Sequence, residues 1–176
     1  MLNLLCIPDP AVVCLRQGTQ ELGTDEFQKM DIVDGQQRIT TLILLLKQIS
    51  LSLSSDDRSQ RKLLDELQDL LVKPDSDELL LLQTNHDSSH YFSNFLRTGK
   101  SSASSSAKTT SDREILAAIE DCRSFVDKWK ASGNDLISLG ALLKNRLYFL
   151  LHEINEEKTV YTVFEVLNSR GLTVSW

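Results

Sequence analysis

The chain has 176 residues, a formal net charge of −6 and a pI near 5.1. That balance argues against a generally basic nucleic-acid platform, and the length is enough for one core or for one domain with an appended lobe. Its three cysteines, Cys6, Cys14 and Cys122, are too few and too widely spaced for a disulfide framework or a paired-cysteine metal site, and they fit a reduced intracellular compartment, the cytoplasm.

Scarce aromatics and abundant leucine favour a mainly helical body. The longest apolar run, around Ile43–Leu46, is interrupted by Lys47 and Gln48 and falls short of bilayer length. Met1–Pro8 has neither the basic nor the apolar region of a secretory signal.

In chain order, Ala11–Arg16 follows the punctuating Pro8 and Pro10 and reads as a strand. Gly18–Gln28 reads as an exposed connection and Lys29–Val33 as a second strand, the two strands forming a hairpin or lying side by side. Ile39–Ile49 is apolar on nearly every side, which predicts a buried helix. After a polar stretch, Gln60–Val72 predicts a second helix with Leu63, Leu64, Leu67, Leu70 and Leu71 on one face, stopped by Pro74.

Glu78–Thr84 reads as a strand. Asn85 and Asp87 then start a helix bearing Tyr91, Phe92, Phe95 and Leu96, on which His86 and His90 stand four apart. No third ligand accompanies them, so capping and exposure explain the pair better than a metal does.

The serine-rich segment 98–111 is expected to be a flexible surface loop. Ser111–Glu114 has the form of a capping box opening a helix to Lys130. Along it Ile115, Ile119, Cys122, Val126 and Trp129 form the apolar stripe, and Gly133 ends it. A short helix, Asp135–Lys144, leads to a buried strand over Arg146–Ile154. A last helix starts at Glu156 and Glu157, carries Val160, Val163, Phe164 and Leu167, and is closed by Asn168-Ser169-Arg170-Gly171.

The chemistry concentrates in Asp31–Thr41. A short apolar run, Asp34, Gly35, two glutamines and Arg38 pass directly into the leucine-rich helix. The first N–H groups of a helix lack internal partners and sit at the positive end of its dipole, so they attract anions such as phosphate. Gly35 permits a sharp turn and close approach to the main chain. Arg38 offers two parallel donors to phosphate oxygens, and Gln36, Gln37, Thr40 and Thr41 add neutral donors and acceptors. Asp34 would repel phosphate unless a Mg²⁺ ion lay between them. The same residues also fit a plain helix start, with Asp34 as cap and Arg38 as a surface ion-pair partner. This is not a Walker-type loop, since no lysine follows the glycine.

Asp34-Gly35-Gln36-Gln37-Arg38, followed by threonines and leucines, and later Phe164-Glu165-Val166-Leu167-Asn168-Ser169-Arg170-Gly171-Leu172, together resemble the N-terminal domain of the GmrSD-type restriction endonucleases, a family with the DGQQR signature and a ParB/sulfiredoxin-like fold. The resemblance covers nearly the whole chain and implies an α+β fold, a small strand-turn-helix core with a mostly helical remainder. It implies a single domain, here incomplete at both ends, that binds and hydrolyses nucleoside triphosphates with Mg²⁺. That activity would be coupled to a separate HNH-type nuclease acting on modified foreign DNA within a larger assembly. Carried over by position, Asp34, Gln37 and Arg38 would be catalytic, Gly35, Gln36, Gln37, Arg38, Thr40 and Thr41 would bind nucleotide, and Asp34 would hold Mg²⁺. Asn168, Arg170 and Gly171 match the second motif, whose residues equally fit a helix end and a structural ion pair.

Two other readings compete. One is a non-catalytic interaction or sensor module using the leucine-rich faces. The other is a direct DNA nuclease, against which the acidic balance and the lack of a His-Asn-His or clustered-carboxylate motif weigh.

Overall fold

The computed structural model of the chain describes residues 11–22, 25–72 and 89–169. It is an α+β fold whose elements run β1 (Ala11–Leu22), β2 (Asp25–Asp34), α1 (Gln36–Ser52), α2 (Arg58–Leu71), α3 (Ser89–Thr98), α4 (Thr110–Ala131), α5 (Leu136–Arg146), β3 (Leu150–Ile154) and α6 (Glu157–Ser169). Two compact units result. The first holds the described residues up to Gln37 and from Tyr148 onward, and the second is Arg38–Leu147. The expected strand Glu78–Thr84, together with Pro74, Asn85, His86 and Asp87, lies outside the described residues.

The first unit is a three-stranded sheet in the order β2-β1-β3 with α6 packed on β2 and β3. β1 and β2 form an antiparallel hairpin, and β3 pairs with β1 in parallel. Ala11, Val12, Val13 and Cys14 are buried, as befits the middle strand. The hairpin is longer than the sequence suggests, because Gly18–Gln28 is mostly strand. Gln17 is the extra residue of a bulge between the Arg16 and Gly18 rungs, and its amide donates to Asp31 Oδ2 at 2.6 Å. Gly18, with φ +123°, absorbs that irregularity inside the ladder instead of ending the strand.

β3 also departs from expectation. It starts at Leu150, and Leu150 and Leu151 are 56% and 53% exposed, with Ile154 alone of its residues buried. An apolar run reads alike in a central and an edge strand, and β3 pairs only with β1 among the described strands.

The second unit is helical, and its core is built from α1 to α5. Leu44, Ile49, Leu67, Phe92, Phe95, Leu96, Ile119, Val126 and Leu139 are at most 2% exposed. On α2, Leu63 and Leu67 join this core and Leu71 is buried, while Leu70 is 46% exposed. The leucine stripe a partner would have needed is therefore largely spent inside the unit.

Three helix starts here are closed by their own side chains. Asp57 accepts from Ser59 and Gln60 N–H, and Asp135 accepts from Ser138 N–H. At α4 the capping box is Thr109–Asp112, two residues before the expected Ser111–Glu114. Both frames have the right letters, but in the earlier one Asp112 takes the N–H of Thr109 and of Lys108, at 2.8 and 2.9 Å. Burial pushes the Asp112 carboxyl upward, yet these backbone donors outweigh it and hold it below the usual carboxylate value. Gly133 ends α4 at φ +76°, as read from the sequence.

The serine-rich segment carries a 3-10 turn, Ser104–Ser106, whose Ser106 carbonyl accepts from Tyr91 Oη at 2.7 Å. Among the described residues no helix is long and apolar enough to cross a membrane.

Candidate functional site

The turn at Asp34–Arg38 is shaped by its neighbours in the first unit. Val33 is the extra residue of a second bulge, between the Asp34–Val13 and Ile32–Cys14 rungs. Gly35 follows at φ +91°. A Cβ there would lie 3.1 Å from Val12 Cγ2 and 3.3 Å from Val12 Cα. Gly35 is thus fixed twice, by a backbone angle that L residues rarely adopt and by close packing on β1.

Gln36 opens α1 and its Nε2 donates back to the Ile32 carbonyl at 2.6 Å, tying the first turn of the helix to the end of β2. The position before Gln36 is a glycine, which has no side chain to accept from the first turn, and that turn contains no acid. Gln36 and Gln37 are exposed, and Asp34 is half-buried.

Arg38, Thr40 and Thr41 are also half-buried and belong to the second unit, the boundary falling inside α1. The Thr41 carbonyl there faces Cys122 Sγ at 3.9 Å. Arg38 is the third residue of α1 and stays in its first turn, whereas Thr40 and Thr41 begin the next. Of the second motif, Arg170 and Gly171 lie outside the described residues, and Asn168 lies in the last turn of α6.

For Mg²⁺ the donor set is one carboxylate, Asp34. Among the described residues no group of three or more His, Cys, Asp or Glu gathers as a metal site. A single carboxylate suits an ion that arrives with phosphate oxygens and keeps its waters, as Mg²⁺ commonly does.

Sequence reasoning missed a second feature of the first unit. A cleft of about 360 Å³ lies between the end of β3 and the start of α6, lined by His152, Ile154, Asn155, Glu156, Thr159 and Val163 among others. Thr159 N–H donates to the Glu156 carbonyl at 3.0 Å and so opens the helix beside it. The only signal in the sequence was a second strand-turn-helix junction, Ile154-Asn155-Glu156, with acids where the first has glutamines. Nearby, Arg16 pairs with Glu153 at 3.3 Å. Burial, and then the Glu153 carboxylate, push the Cys14 thiol above its usual value.

No curated protein and no solved structure matches the chain. The family described as the GmrSD restriction endonuclease N-terminal domain does match, over residues 5–175. The chain therefore belongs to the GmrSD N-terminal-domain family, modules of restriction and defence systems.

Proposed function

We propose that this chain binds a nucleoside triphosphate with its phosphates at the start of α1, as the nucleotide-dependent module of a GmrSD-like, modification-dependent restriction system. The observation that carries the reading is the contrast among helix starts. α2, α4 and α5 are closed by the side chains of Asp57, Thr109 with Asp112, and Asp135, whereas the residue before α1 is Gly35, which has no side chain to accept from the helix. The leading N–H groups of α1 and its dipole end favour an anion, and Gly35 lets that anion approach the main chain.

Arg38 would pair phosphate oxygens, and Gln36 and Gln37 would add donors. Asp34 and phosphate oxygens would hold Mg²⁺, which supplies charge neutralisation for phosphoryl transfer. Hydrolysis needs positioning and electrostatics here, with no covalent nucleophile. Asp34, Gln37 and Arg38 are the residues assigned to it, and a separate HNH-type nuclease would cut the DNA.

A thermal melt with a panel of nucleoside triphosphates and Mg²⁺, repeated on Arg38→Ala, tests the reading. A ligand at about a hundred times its dissociation constant adds roughly 2.7 kcal/mol, a shift of several degrees for a chain this size. The shift is expected in the wild type and is expected to vanish in Arg38→Ala. A cooperative melt unmoved by every nucleotide would reduce the turn to a structural helix start.

A further inference from the structure

We infer that the edge of β1 beyond Leu15, together with the cleft at the end of β3, receives an extended basic segment of a protein partner, added to the sheet as a further strand.

The edge comes from a mismatch of strand lengths. β1 runs to Leu22, but β3 pairs with it only from Ala11 to Leu15. Past that point the hairpin is a two-stranded ribbon, and among the described residues no strand lies on the side of β1 away from β2. Arg16 to Glu21 are all exposed, whereas Ala11 to Cys14, which lie beside β3, are buried. After the bulge at Gln17 the rungs from Gly18 to Leu22 follow one another without a further shift. A two-stranded ribbon is only marginally stable by itself, and an open strand edge offers its N–H and C=O groups to another chain.

The position of the added strand follows from the end of β3. Ile154 is the last residue of β3 and stands level with Leu15. The cleft of about 360 Å³ lies there, with Ile154, Asn155, Glu156 and Thr159 in its wall. A strand set along Arg16–Leu22 continues the line that β3 leaves, so its near end meets the cleft.

Charge selects the partner. Glu21 and Glu26 are direct cross-strand partners and both are exposed, a placement in which like charges repel. Neither forms an ion pair among the described residues. At the other end of the edge Glu156 lines the cleft and Glu157 follows it in the first turn of α6. Arg16 is already paired with Glu153 at 3.3 Å, and of the nearby bases Lys29 and Lys158 remain. An edge with carboxylates at both ends turns away a phosphate backbone, and it turns away a second copy of itself. It favours lysines and arginines spaced along an extended chain, held by main-chain hydrogen bonds.

Fluorescence anisotropy on the whole chain tests this with two labelled peptides. One alternates lysine with valine and threonine, and the other has the same sequence with N-methyl groups on alternate backbone amides, which keeps the charge and removes the donors of one edge. The wild type is expected to bind the first at least about tenfold tighter than the second. Glu21→Gln combined with Glu26→Gln should weaken the first peptide several-fold. Glu114→Gln, at an exposed acid of α4, should leave it unchanged. Both variants should keep the circular dichroism of the wild type. Equal binding of the two peptides would reduce the effect to bulk charge and overturn strand addition. An unchanged affinity in the double variant, or no binding by the wild type, would remove this edge as a docking site. A dimer in sedimentation that the double variant strengthens would give the edge to a second copy instead.

Discussion

The two units of this chain divide the work between them. The helical unit buries large side chains, Phe92, Phe95, Leu96 and Leu67 among them, and closes its helix ends with its own polar groups. Among the described side chains, the sheet unit buries small or β-branched residues, Ala11, Val12, Val13 and Cys14 with Ile154, and leaves Leu150, Leu151, Tyr148 and Tyr161 exposed. Hydrophobic stabilisation scales with the apolar area removed from water, so the helical unit should hold its own structure more firmly. Of the residues proposed to bind nucleotide, Asp34 to Gln37 lie in the sheet unit. Binding regions tend to come from the low-stability end of a structure, and the proposed nucleotide site would follow that pattern.

Each unit carries a built-in reporter. Cys14 and Cys122 are free, and each is 4% exposed. Burial, with a smaller push from Asp121, raises the Cys122 thiol to about 11, so at neutral pH it reacts only when its surroundings open. The largest effect is expected from Phe92→Ala, which empties the centre of the helical core at a cost of about 3–5 kcal/mol. In pulsed alkylation read by mass spectrometry, Cys122 should label much faster than in the wild type and Cys14 little changed. Equal acceleration of both thiols would show that the units open together, and the division would then have no energetic meaning.

Gly35→Ala should act on the other unit and more weakly. The new Cβ meets Val12 at 3.1 Å and the φ of +91° must be strained or abandoned, a penalty of about 1–3 kcal/mol. Cys14, two residues from Val12 on β1, should then label faster while Cys122 does not. A protected Cys14 in this variant would mean that the turn relaxes freely and is not held by β1.

The sequence was most legible where local rules decide. The stripe on α4, the glycine that ends α4 and the strand-turn-helix at Asp34–Arg38 each depend on spacing within a few residues. What escaped depends on partners distant in the chain. The bulge at Gln17 exists only because β1 must stay in register with β2 around an extra residue, so Gly18–Gln28 reads from sequence as an exposed connection. β3 looked buried because an apolar run carries no mark of being at an edge. The cleft needs β3 and α6 brought together, and nothing in Ile154-Asn155-Glu156 alone announces a cavity. Even the capping box of α4 was misplaced by two residues, since Thr109–Asp112 and Ser111–Glu114 satisfy the same pattern and only the helix geometry chooses.

That capping box supplies the smallest test, and it bears on the contrast between helix starts with a capping side chain and the glycine start of α1. Thr109 Oγ1 accepts from Asp112 N–H at 3.1 Å, and the Asp112 carboxylate returns the contact to Thr109 N–H. Thr109→Ala removes one half of this exchange and should cost about 1 kcal/mol, the usual value of a cap. Because the group lost is one the protein uses for itself, the cost should appear in a urea melt and nowhere else, with nucleotide affinity equal to the wild type. At α1 the balance should be reversed. Gln37→Ala removes an exposed side chain, so it should leave the melt nearly unchanged and weaken nucleotide binding. A stability loss at Gln37 as large as that at Thr109, with binding intact, would mean that the start of α1 is an ordinary capped end like the others.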